Sequence, residues 1–277
     1  MSAQNVRDGY VEVEGARLYF QDRGSGPPIV FVHGWGLDLS YWAPVIERLS
    51  GSYRTVAYDS RGAGRSTGAL PRYLLARLVE DLSSVIRNLG LDRPVLCGHS
   101  LGGDTVLQHA VTYPHAAPAL VVADAPGPCN FWTSRLSYLG FRVILAISSW
   151  LGVDPVQKPL EPLFRDLLWS KGFQSSHPEE IQGWKDQFLG SSVAGLLTSF
   201  RAMAYRKNLV AGIAVPTLLI RGALDRLVPQ RTFAQYHRRI PGSQLELIAA
   251  SGHMTLSEKP EEFSKLVEAF LSQRRSD

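Results

Sequence analysis

The chain has 277 residues, of which 45% are hydrophobic and 19% charged, enough apolar mass for one large α/β domain or two small ones. Its net charge of +4 is spread without a run of like charges, which excludes a basic stripe for nucleic acid, and two cysteines, Cys97 and Cys129, make no disulfide framework. The first residues lack an apolar signal core and the longest apolar stretch, 143–151, is too short to span a bilayer, so a cytoplasmic protein with no membrane partner is expected.

Strand and helix signals alternate along the chain. Strands are predicted near 10–14, 16–22, 28–33, 54–58, 93–97, 118–123, 216–221 and 244–249, and helices near 41–50, 72–89, 101–112, 230–239 and 260–273. The first two strands read as an antiparallel hairpin. The later ones are short apolar runs of the kind that are buried on both faces of a parallel sheet. The expected fold is therefore α/β, an eight-stranded, mostly parallel sheet with helices on both faces and ligands bound at the carboxyl ends of its strands.

Within that order Gly98-His99-Ser100-Leu101-Gly102 carries the most chemistry. It follows the apolar run Pro94–Cys97 and precedes a helical pattern, so Ser100 falls on a strand-turn-helix junction that exposes its hydroxyl. The helix N-terminus behind it favours developing negative charge. Gly64-Arg65-Ser66-Thr67-Gly68 fits the same pattern, but no strand runs into it and a loop follows, so Ser66 is read as a loop serine. A nucleophilic serine needs a base and a group to orient that base. His253, after the run Leu245–Ala249, and Asp225, after the run Pro216–Ile220, supply them. The backbone N–H of Leu101, directly after the nucleophile, is one expected oxyanion donor. Asp124 also closes a strand; with Asp225 present it is assigned to the lid hinge or pocket.

From Pro126 to about Leu209 the alternation stops, and the segment reads as several short helices. It holds four of the six tryptophans and many phenylalanines. Residues 126–209 are therefore expected to form a helical lid on a core of 1–125 and 210–277, with Trp132 and Phe141 as candidate pocket residues for an apolar substrate.

The order Ser, Asp, His, with His33-Gly34-Trp35-Gly36 and Asp59–Ser66, resembles the α/β-hydrolase superfamily, in its branch of small single-domain esterases, lactonases, haloperoxidase-like enzymes and C–C hydrolases. The resemblance covers the chain from about Tyr10 to Leu271. It implies a lid inserted after the sixth strand, no cofactor and no metal, and a second oxyanion donor in the backbone N–H of Trp35. It makes His33 a brace for that loop, and His99 a residue that packs or bonds locally. It implies hydrolysis of a carboxylic ester, thioester or lactone. C–C bond hydrolysis or perhydrolysis by the same triad, or a low-turnover binding protein, are the alternatives. A serine nucleophile argues against epoxide hydrolase and haloalkane dehalogenase chemistry, which runs through an aspartyl ester in related enzymes.

Overall fold

The computed structural model describes residues 6–68, 74–127, 135–151, 161–191, 193–205 and 210–273. Eight strands form one sheet in the order β1-β2-β4-β3-β5-β6-β7-β8. They are β1 (Val6–Val13), β2 (Ala16–Arg23), β3 (Pro28–Val32), β4 (Arg54–Tyr58), β5 (Val95–His99), β6 (Leu120–Ala123), β7 (Thr217–Gly222) and β8 (Gln244–Ile248). β1 pairs antiparallel with β2, and β2 with β4; every later pairing is parallel. This is the architecture expected from the sequence. β1 begins earlier than predicted because Val6 to Asp8 are exposed and carry no apolar alternation; pairing with Asp22 and Arg23 extends it.

Helices cover both faces. A 3-10 turn (Leu39–Trp42) leads into α1 (Ala43–Leu49), followed by α2 (Leu75–Asn88) and α3 (Leu101–Thr112). Between β6 and β7 come α4 (Arg135–Leu151), α5 (Glu161–Leu168), α6 (Lys171–Ser176), α7 (Pro178–Gly190) and α8 (Val193–Ala204). The chain ends with α9 (Gln230–Arg239), α10 (Thr255–Glu258) and α11 (Pro260–Ser272). Among the described residues no helix is long and apolar enough to cross a membrane.

The core is continuous. Ile29, Val30, Leu96, Cys97, Leu120, Val121 and Leu219 are fully buried in the central strands, as apolar runs in a doubly covered parallel sheet must be. The strand order reverses between β3 and β5, where successive crossovers leave the sheet in opposite directions. Such a switch point opens a crevice at the carboxyl edge. The loops after β3, β5, β6, β7 and β8 all converge there, and they carry Trp35, Ser100, Asp124, Asp225 and His253 respectively.

Candidate active site

Ser100 sits on the turn between β5 and α3 with φ 53° and ψ −118°, a left-handed conformation that costs a non-glycine residue about 1–3 kcal/mol. Its surroundings enforce it. The Ser100 N–H donates to Ala123 O of β6 (2.9 Å), and Ser100 O accepts from the Asp104 N–H (3.0 Å), so the turn is pinned to sheet and helix at once. Gly98 and Gly102 make the turn possible. A Cβ on Gly98 would collide with Gly102 O, and one on Gly102 with Val32 O.

The three residues singled out in the sequence meet here. His253 Nε2 lies 3.1 Å from Ser100 Oγ, and His253 Nδ1 lies 2.9 Å from Asp225 Oδ2. An ionised carboxylate can only accept, so Nδ1 carries the proton and Nε2 turns its lone pair to the serine hydroxyl. The other Asp225 oxygen accepts from the N–H groups of Leu227 (2.7 Å) and Val228 (2.9 Å), which fixes the carboxylate plane. The loop bearing it is wound around the buried Arg221. That guanidinium donates to the carbonyls of Gly222 (2.7 Å), Asp225 (2.8 Å) and Val228 (2.8 Å).

The His253 loop is clamped to the segment between β6 and β7. The N–H groups of His253 and Met254 both donate to Leu168 O, at 2.8 and 3.1 Å, at the end of α5. Glu258 Oε1 accepts from the N–H of Gly252 (2.9 Å) and of Ser170 (3.2 Å). Burial raises the Glu258 carboxyl above its ordinary value, and the Ser170 and Gly252 hydrogen bonds oppose that rise. Neither Arg221 nor Glu258 is legible as part of the site in the sequence. Their partners are backbone groups that only the fold brings near.

Asp124, assigned from the sequence to the lid hinge or pocket, is not among the residues lining the cavity above Ser100. Its side chain is fully buried beneath the triad, where Oδ1 accepts from the Gly222 N–H (3.0 Å) and Oδ2 from Thr255 Oγ1 (2.6 Å). It is not hydrogen-bonded to His253, whose Nδ1 is taken by Asp225. Burial, and then the neighbouring Asp225 charge, push the Asp124 carboxyl well above the ordinary range. Asp124, Asp225 and His253 lie close enough together to suggest a cation site. Their atoms are already engaged in hydrogen bonds with one another or with Gly222, Leu227, Val228 and Thr255, so the donor set suits a hydrogen-bonded network.

The remaining histidines at the site brace loops. Ser60 N–H donates to His33 Nε2 (2.9 Å), which leaves the His33 Nδ1–H to donate to Gly34 O (2.8 Å). His99 Nε2–H donates to His253 O (2.9 Å), and the Tyr41 ring packs 4.8 Å away. Burial, and then His253, push the His99 ring well below the usual imidazole range, so it stays neutral. Ser66 is a loop serine: its hydroxyl donates to Asp59 O (2.7 Å) and accepts from the Tyr19 N–H (2.8 Å).

The two residues expected to donate to an oxyanion, Leu101 and Trp35, lie next to the Ser100 turn. Leu101 is the first residue of α3, so its N–H is among the helix's unpaired donors. Trp35 follows Gly34, which lies so close to the turn that a Cβ there would sit 3.1 Å from Ser100 Cβ. The Trp35 ring reaches the other way. Its Nε1–H donates to Leu196 O of α8 (2.8 Å), and the ring packs on Phe141, Phe164, Phe188 and Phe200 at centroid distances of 5.6, 6.0, 5.1 and 5.3 Å.

Above Ser100 and His253 opens a cavity of about 520 Å³, within the ~300–1,000 Å³ range of small-molecule sites. Phe141 lines it, as do Trp35, Phe164, Trp184, Phe188 and Met203. Trp132, the other aromatic named from the sequence, lies outside the described residues.

Known proteins resemble this chain in sequence and in fold. Residues 29–266 match the family described as the Alpha/beta hydrolase family. A Serratia proteamaculans protein provisionally named carbamate hydrolase RutD is 30% identical over 264 residues, spanning 92% of this chain and 96% of that protein. Among solved structures, a thermophilic esterase from Thermogutta terrifontis has a TM-score of 0.84 at 25% identity, covering 98% of this chain and 99% of that one. The enol-lactonase from Burkholderia xenovorans has a TM-score of 0.85 at 23% identity, over 95% of this chain and 100% of that one, a likeness of fold.

Proposed function

Because the chain belongs to the alpha/beta hydrolase family, we propose that it is a serine hydrolase that cleaves a carboxylic ester, thioester or lactone of an apolar small molecule through an acyl-enzyme on Ser100. One observation carries the proposal: the unbroken hydrogen-bonded chain Ser100 Oγ, His253, Asp225, anchored at its far end by two backbone amides. In this mechanism Ser100 Oγ attacks the carbonyl carbon while His253 Nε2 takes its proton. Asp225 holds the tautomer and stabilises the imidazolium that forms. The tetrahedral oxyanion is received by the N–H groups of Leu101 and Trp35, whose dipoles are fixed before the reaction. Collapse expels the alcohol or thiol, which takes the proton from His253. A water then attacks the acyl-enzyme by the same route and releases the acid.

Helices α4 to α8 act in this proposal as the cap, residues 126–209, on a core of 1–125 and 210–277. The cap excludes water and selects the acyl group, while the core does the chemistry. Ser100→Ala tests the assignment. It is expected to lower kcat by at least ~10⁴-fold, because triad members act as a unit, while the thermal unfolding midpoint stays near that of the wild type. An active Ser100→Ala protein would refute the proposal; Ser66→Ala is the control that keeps its activity.

A further inference from the structure

The walls of the cavity narrow the substrate beyond its reaction class. We propose that the enzyme takes an uncharged substrate whose acyl part is a long apolar chain, on the order of ten carbons, with the far end of that chain leaving the cavity across the exposed face of α4. This rests on the serine-hydrolase proposal above, since it places the acyl carbonyl at Ser100.

Three observations support it. First, none of the described residues lining the cavity is Asp, Glu, Lys or Arg. The polar side chains at its base are committed: Ser100 to His253, His253 to Asp225, His99 to His253 O, and Trp35 Nε1 to Leu196 O. The buried guanidinium behind this wall, Arg221, spends its donors on the carbonyls of its own loop. A carboxylate or ammonium in the cavity would lose its hydration and meet no oppositely charged side chain among the described lining residues.

Second, the volume suits a chain. At about 30 Å³ per methylene-sized group, some 520 Å³ holds well over ten heavy atoms. Third, the apolar lining does not stop at the surface. Leu136, Leu139 and Val143 lie on one face of α4, and Leu163 belongs to α5. All four line the cavity, yet they are 66%, 50%, 57% and 41% exposed. They form an apolar sill that continues the cavity outward. A chain longer than the cavity can therefore run on across α4.

This geometry makes a charge tolerable in one place and not in another. A carboxylate on the end of a short acyl chain falls inside the cavity. The same carboxylate on the end of a long chain lies beyond the sill, in water.

The test compares p-nitrophenyl esters from acetyl to hexadecanoyl with their ω-carboxy counterparts, each below its aggregation threshold, on the wild-type protein. For the plain esters kcat/KM is expected to rise by up to about fourfold per methylene and then level off rather than fall. The adipoyl monoester is expected at least ~100-fold below the hexanoyl ester, whereas the hexadecanedioyl monoester stays within about tenfold of the hexadecanoyl ester. Leu139→Arg, which sets a cation at the sill, is expected to narrow the adipoyl penalty. Equal rates for hexanoyl and adipoyl esters, or a flat chain-length profile, would overturn the substrate assignment. Labelling of Ser100 by a fluorophosphonate is read alongside. A labelled enzyme with a flat profile refutes only the substrate class, whereas an unlabelled enzyme that turns over no ester refutes the serine-hydrolase proposal itself.

Discussion

The floor and the roof of the cavity are built on opposite principles. The floor is polar and held by backbone. The Ser100 turn is pinned to β6 and α3, the Asp225 carboxylate by Leu227 and Val228, and the His253 loop by Leu168 O and Glu258. The roof is apolar and held by ring packing. Phe141, Phe164, Phe188 and Phe200 surround the single ring of Trp35. In the proposed function the floor carries the reaction and the roof the selection. Changes in the floor should slow all substrates by a common factor, while changes in the roof should act in proportion to chain length.

The largest expected effect within the floor separates the two aspartates. Asp225→Asn is expected to lower kcat by about 10⁴-fold, because the amide favours the wrong imidazole tautomer. Asp124→Asn is expected to cost less than about tenfold, since Asn can still accept from Gly222 N–H and pair with Thr255. Steady-state kinetics of both variants on one short and one long ester decide it; equal losses would move the acid to the end of β6.

Helix α3, behind the floor, also sets an acid limit. His109 is buried in α3, the helix that opens at Ser100, and burial lowers its pKa from 6.5 to about 4. The unfolded chain therefore takes up this proton first as pH falls. Stability is present above 6.5 and is lost on the way down to about 4, by about 3 kcal/mol. The stability of the wild type relative to His109→Leu should therefore fall by that amount across this range when both are unfolded in urea, and a pH-independent difference would refute it.

Glu258 links floor and roof, and its loss should register as a floor effect. Glu258→Ala leaves the N–H groups of Gly252 and Ser170 without their acceptor and frees the His253 loop. A ten- to hundredfold fall in kcat is expected, similar for short and long esters, because small misplacements of a catalytic group are costly. Glu258→Gln, which keeps an acceptor, should recover most of it. A chain-length-dependent loss would instead place Glu258 with the roof.

The smallest effect belongs to the roof alone. Phe141→Ala should lower the octanoyl-to-acetyl ratio of kcat/KM by about tenfold, through lost apolar contact. If it lowers both rates in step, the division between floor and roof fails at Phe141.

How much of this was legible in the sequence follows the range of the forces involved. The Ser100 turn is a local backbone problem, and its solution, flanking glycines between a strand and a helix, is written in consecutive residues. Asp225 and His253 are legible because each follows a strand-like run, fully buried in β7 and only partly buried in the edge strand β8. Asp124 ends a strand in the same way, and nothing nearby in sequence reveals that Gly222 and Thr255 enclose it. The sequence assigned Trp35 by its N–H alone. Its ring is the hub of the roof because phenylalanines more than a hundred residues away converge on it. The five helices described between β6 and β7 were legible as an interruption of strand signals, but not in their boundaries, since short amphipathic helices share one apolar composition.

The central claim is that Ser100 carries the acyl group, and the most direct measurement is mass-spectrometric mapping after treatment with a fluorophosphonate. A single adduct on Ser100 is expected, absent in Ser100→Ala and formed far more slowly in Asp225→Asn. An adduct on Ser66 or elsewhere, or one that persists in Ser100→Ala, would contradict it.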